Sequence, residues 1–116
     1  MINIKYGFGK EVLYSFDDAI KKVTEELQKE GFGVLTNIDV SATLKKKLNK
    51  DMPPYQILGA CNPQFAFKVL SMDDKIGVFL PCNIVVQQHE DGQVEISIGD
   101  PEEMMKSASS TDALQT

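Results

Sequence analysis

Tyr55-Gln56-Ile57-Leu58-Gly59-Ala60-Cys61-Asn62-Pro63 is the stretch on which the fold turns. Apolar residues run as far as Leu58 and small ones follow. Asn62-Pro63 then supplies a good helix cap and a favoured first helical residue. The stretch reads as a strand over residues 55–60 that ends in a small-residue turn and opens a helix. The buried side of that helix is expected to be Phe65 or Ala66, Val69 and Met72. A near echo, Leu80-Pro81-Cys82-Asn83, follows, and no other part of the chain is as specialised.

Downstream, residues 76–88 are apolar on both faces at first, as in a central strand. Pro81 has no N–H to give a ladder, so the strand must bend, bulge or meet an unpaired edge there. Asp91-Gly92 signals a hairpin turn, after which Val94, Ile96 and Ile98 alternate with Glu95 and Ser97. Asp100-Pro101-Glu102-Glu103 predicts a last short helix, in which Met104-Met105 would pack, and a polar tail follows from Ser107.

Upstream, residues 2–14 read as a strand with Ile2, Ile4, Tyr6 and Phe8 on one face, bent or bulged at Gly7 and Gly9. Ser15 caps a helix over 16–30, with Asp17 and Asp18 where negative charge suits its dipole and Gly31 at its end. A short strand covers 33–38. Ser41 is then expected to cap a lysine-rich helix through Leu48, which Met52-Pro53-Pro54 stops.

The order β-α-β-α-β-α-β-β predicts an α+β domain over residues 1–106, with residues 107–116 as a disordered polar tail. The architecture expected is a two-layer sandwich, ferredoxin-like or related. Its sheet would be mixed and four- to five-stranded, with helices on one face. Joining 55–60 to 76–80 by the intervening helix makes those strands parallel neighbours.

Composition removes several function classes. At 116 residues the chain is one domain, and its apolar share of 42% and charged share of 25% are ordinary for a globular protein. The net charge is −5, and all 12 basic residues are lysines. Without arginine it lacks the fork-shaped donor that grips guanine edges and phosphates, so nucleic acid is not an expected partner. Lys45-Lys46-Lys47 reads as the solvated face of a short helix. No apolar run is long enough to span a bilayer, and residues 1–10 do not look like a secretory leader, so no membrane partner and a cytoplasmic location are expected.

Two cysteines in such a chain are expected as free thiols. Parallel pairing would bring Cys61 and Cys82 to the carboxyl edge of the sheet, where open α/β sheets place ligand crevices. Cys61 also precedes a helix start, whose amides and dipole favour a thiolate or an anion. The candidate ligand site is therefore Gly59, Cys61, Asn62, Cys82 and Asn83, with Cys61 and Cys82 the candidate catalytic groups. Each also has a plain structural reading: the thiols as small core hydrophobes, Asn62 as a cap, Gly59-Ala60 as close packing against the helix.

No metal site or cofactor is expected. The single histidine, His89, lies beside the Asp91-Gly92 turn and reads as a solvated loop residue. Gly7-Phe8-Gly9 and Gly31-Phe32-Gly33 are G-x-G fragments explained by a bend and a helix stop. Asp39, Asp51, Asp100 and Tyr55 read as caps or surface groups.

Ile57-Leu58-Gly59-Ala60-Cys61-Asn62-Pro63, Leu80-Pro81-Cys82-Asn83-Ile84-Val85-Val86 and Asp100-Pro101 closely resemble the domain-of-unknown-function family 302. Gly31-Phe32-Gly33-Val34-Leu35-Thr36, Ile38-Asp39-Val40 and Thr43-Leu44-Lys45 fit its first half. The resemblance spans about residues 6–105 and carries its cysteine motifs onto Cys61, Asn62, Pro63, Leu80, Pro81 and Cys82. It implies a small α+β domain of bacteria and archaea, homodimeric in its structures and with no established activity. The function expected is a homodimeric binding module with a thiol-lined cleft for an unknown small molecule, its dimer surface on half-exposed strands. Two alternatives stand beside it: a thiol redox protein or enzyme with Cys61 as nucleophile and Cys82 as partner, and an interaction domain with structural cysteines.

Overall fold

Apolar alternation and well-placed caps divide the chain into six strands and three α-helices among the described residues, 2–4 and 7–99 of the computed structural model. In chain order these are β1 (Ile2–Ile4), β2 (Gly7–Val12), α1 (Phe16–Lys29), β3 (Gly33–Asp39), α2 (Val40–Leu48), β4 (Tyr55–Cys61) and α3 (Pro63–Met72). A 3-10 helix (Asp74–Phe79), β5 (Cys82–Gln88) and β6 (Val94–Gly99) complete them. The α+β class holds, and the helix-and-strand order runs broadly as expected. The predicted 2–14 strand is two strands, β1 folding back antiparallel on β2. The predicted helix at Asp100 and the tail over 107–116 lie outside the described residues.

The sheet has the order β1-β2-β6-β5-β4-β3 and is antiparallel throughout, not mixed. The parallel pairing of 55–60 with 76–80 is overturned at its second partner. Residues 74–79 coil as the 3-10 helix because the Asp73 carboxylate caps the segment, accepting from the Lys75 amide at 2.9 Å. The strand starts only after Pro81 and returns directly alongside β4, with Ala60 opposite Cys82 and Leu58 opposite Ile84. Thus α3 and the 3-10 helix form an arm that leaves the sheet after Cys61 and rejoins it at Cys82.

One face of the sheet packs under α1. Leu58, Ala60, Ile84, Val86 and Val94 are buried with Ala19 of that helix, and Phe16, Ile20, Val23 and Leu27 pack against them. Burying Leu58, Ile84 and Val86 is worth about 1.5–3 kcal/mol each. Ser15 caps α1 as expected, its hydroxyl accepting from the Asp18 amide. The helix ends in a Schellman turn: Gly31 sits at φ 84°, and the Phe32 amide donates to the Leu27 carbonyl at 2.9 Å. Phe32 and Leu27 both reach the core.

The cap of α2 is Asp39, not Ser41. The Asp39 carboxylate accepts from the Ala42 amide at 2.9 Å, and the Ser41 hydroxyl accepts instead from the Tyr55 amide at 2.9 Å, pinning α2 to the start of β4. Asn49, in the left-handed region at φ 53°, ends the helix before the prolines are reached.

Candidate functional site

Strand parity decides what the two cysteines share. Ala60 opposes Cys82, so Cys82 lies on the α1 face with Ala60 and Ile84. Cys61, one residue further, lies on the other face with Gly59 and Ile57. Both thiols are free and half-buried. They stand at neighbouring positions of adjacent strands yet on opposite faces, so the fold does not aim one sulfur at the other. Both cysteines stand at one end of the sheet, Cys61 closing β4 and Cys82 opening β5, which in an antiparallel pair is not the carboxyl edge expected. The single crevice expected there rested on parallel strands.

Gly59 is buried, and its missing side chain is already replaced by neighbours. A Cβ built there would run into the Thr36 hydroxyl and stand 2.9 Å from Cγ of Pro81. The glycine thus lets β3 and the residue preceding β5 close over β4 from both sides. Thr36 and Asn83 are its strand partners, and Asn83 is exposed on the same face as Cys61.

Asn62 does what its sequence position announces. Its carbonyl oxygen accepts from the Phe65 amide at 3.2 Å, capping α3, and its amide nitrogen stands 3.3 Å from the Cβ position of Gly31. The start of the arm is thereby seated against the end of α1. Of the five expected ligand residues, Gly59, Cys61 and Asn83 share one face, Asn62 stands at the arm's root, and Cys82 belongs to the other face.

The remaining candidates among the described residues are accounted for by local structure, and Asp100 lies outside those residues. His89 sits in the hairpin turn, 3.0 Å from a Glu95 carboxylate oxygen. Asp51 pairs with Lys45 at 3.0 Å, and Asp39 caps α2. Among the described residues no three His, Cys, Asp or Glu side chains gather as a metal site. No described helix is long and apolar enough to cross a membrane.

Two features were not expected from the sequence. The first is the arm's surface: Phe67 is 76% exposed, Met72 78% and Val78 83%, with Phe65 and Leu70 also open. No arm residue belongs to the core, and Met72, expected on a buried side, faces outward. The signal was present, because Phe65, Phe67, Val69, Leu70 and Met72 place apolar groups around the whole helix, more than one packed side requires. The second is a groove of about 340 Å³ between α1 and strands β2 and β6, with Phe8, Val12, Val23, Ile96 and Ile98 in its lining.

Comparison with known proteins agrees with this architecture. The family model described as "Domain of unknown function DUF302" matches residues 8–116. A crystal structure of an uncharacterized conserved protein DUF302 from Bacillus stearothermophilus is similar, with a TM-score of 0.81 and 34% sequence identity. The match covers 96% of this chain and 85% of that one. None of the curated proteins matches this chain.

Proposed function

This chain belongs to the DUF302 family, and on that footing we propose that it is a homodimeric small-molecule-binding module whose dimer surface is the arm. The observation that carries the reading is the apolar exposure of α3 and the 3-10 helix. Phe67, Met72 and Val78 are large apolar groups left in water on a segment that adds nothing to the core. Large apolar groups left exposed together on one short segment point to an interaction surface. A second copy of the chain is the occupant, which moves the dimer surface from the half-exposed strands to the arm.

The ligand cleft lies at the arm's root on the open face, around Cys61, Asn62 and Asn83. Gly59 shapes it by admitting Pro81, and Cys82 supports it from the core side of the sheet. One thiol, one exposed amide and a helix start make a short polar patch, suited to a small sulfur-containing or electrophilic ligand. The module works in the cytoplasm, where free thiols stay reduced.

Sedimentation equilibrium across a concentration range tests the dimer. The native chain should sediment as a dimer, and Phe67→Glu combined with Met72→Glu should leave a folded monomer. Alkylation of Cys61, assigned by peptide mass, should be faster in that monomer if the second copy roofs the cleft. A native chain that is monomeric at every concentration would sink the dimer. Equal Cys61 rates in both forms would sink the roofed cleft.

A further inference from the structure

The groove between α1 and strands β2 and β6 has no place in the reading above. It lies on the α1 face of the sheet, where α1 packs on β3, β5 and part of β6 and where, among the described residues, part of β2 and β6 beside it is left uncovered. Its floor and walls are apolar: Phe8, Val12, Val23, Ile96 and Ile98. Phe8 and Ile98 oppose each other across the strands and are each 43% exposed. Val12 and Ile96 instead pack toward the core.

Charge is arranged at the groove in an unequal way. Lys10 and Lys22 line it with a single carboxylate, Glu26, and the phenol of Tyr14. Glu26 is already engaged: its Oε1 accepts from Lys22 at 3.2 Å and from Lys29 at 3.1 Å. Lys22 is held in its charged form chiefly by that hydrogen bond. Lys10 is exposed, opposite Ile96, and makes no ion pair among the described residues. An apolar trough therefore sits under an uncommitted positive charge, in a chain whose net charge is −5.

We propose that this groove binds a small carboxylate amphiphile, a medium-chain fatty acid in its simplest form, with the alkyl chain against Phe8, Val23 and Ile98 and the carboxylate at Lys10 and Lys22. Its volume lies near the lower end of the ~300–1,000 Å³ typical of small-molecule sites, so it takes one short chain and not a phospholipid. The apolar contacts supply affinity in proportion to chain length, and the lysines select the anionic head.

Isothermal titration calorimetry of the full chain with hexanoate, octanoate, decanoate and decan-1-ol, below their micelle concentrations, tests this. Saturable binding at one site per chain is expected, tightening by about fourfold per added methylene until the groove is filled. Lys10→Glu lies on an exposed strand position that the core does not use. It should weaken decanoate by about three- to tenfold and leave decan-1-ol unchanged. Amide chemical-shift changes should be confined to β2, α1 and β6. The proposal is overturned by absence of saturable binding, by equal affinity for decanoate and decan-1-ol, or by a Lys10→Glu variant that binds decanoate as well as the native chain. Shifts centred on α3 and Cys61 would overturn it too, by moving the ligand to the cleft at the arm's root. Because no arm residue lines the groove, loss of the dimer in the arm variant leaves this outcome separately readable.

Discussion

At the scale of single residues, Gly59 is where packing is least forgiving. Thr36 and Pro81 already occupy the space a side chain would need, and both are held by neighbouring strands. Gly59→Ala should therefore cost about 1–3 kcal/mol, the usual penalty of overfilling a packed site. Urea unfolding would read it as a lower midpoint with an unchanged slope, and a neutral substitution would mean that the strands yield. The glycine was legible as a close approach, but the partner expected was the helix and those found are Thr36 and Pro81. Thr36 and Pro81 come from distant parts of the sequence and meet Gly59 only through register. The same parity separates the cysteines: their spacing suggested a shared edge, while the face each presents depends on one residue of register.

Among the elements, the caps of α1 and α3 were legible, that of α2 was misplaced by two residues, and long apolar runs were the least legible. Ser15, Asn62 and Gly31 announced the ends of α1 and α3 because each acts within a few residues of itself. The 74–79 segment misled, since an apolar run fits a buried strand and a coiled connection equally. The deciding Asp73–Lys75 contact is a turn interaction that hydrophobic pattern does not weigh. In α1 a pH signature follows from Glu26. Hydrogen bonds from Lys29 and then Lys22 hold its carboxyl below the ordinary glutamate range. A lowered carboxylate stabilises the fold above its unfolded pKa, and that contribution is lost as pH falls through the folded value. Glu26→Gln should thus melt below the native chain at pH 7, and the gap should close as the buffer is taken into the acid range. A gap that persists in acid would assign the loss to packing. Lys22, raised by the same contact, gives up its share at the alkaline end as well, when pH rises through its folded pKa.

Across the whole molecule, the core lies between the sheet and α1, and no arm residue belongs to it. The sandwich class followed from the alternation of elements, yet strand order did not, because hairpin and crossover connections of similar length leave similar sequence marks. If the core is complete without the arm, replacing residues 62–81 by a short glycine-containing turn should give a folded monomer. Its circular dichroism should keep the strand signature, and β4 and β5 should pair with Leu58 still opposite Ile84. An unfolded product would show that the arm supports the sheet after all. The join between β2 and β6 has a different consequence. Those strands come from opposite ends of the chain, and Gly7 stands directly across from Gly99. A tensile load entering across those two glycines would fall on a single rung of the ladder, then on the next, as in opening a zip. However well its interior is packed, the domain should be mechanically soft when pulled from that side.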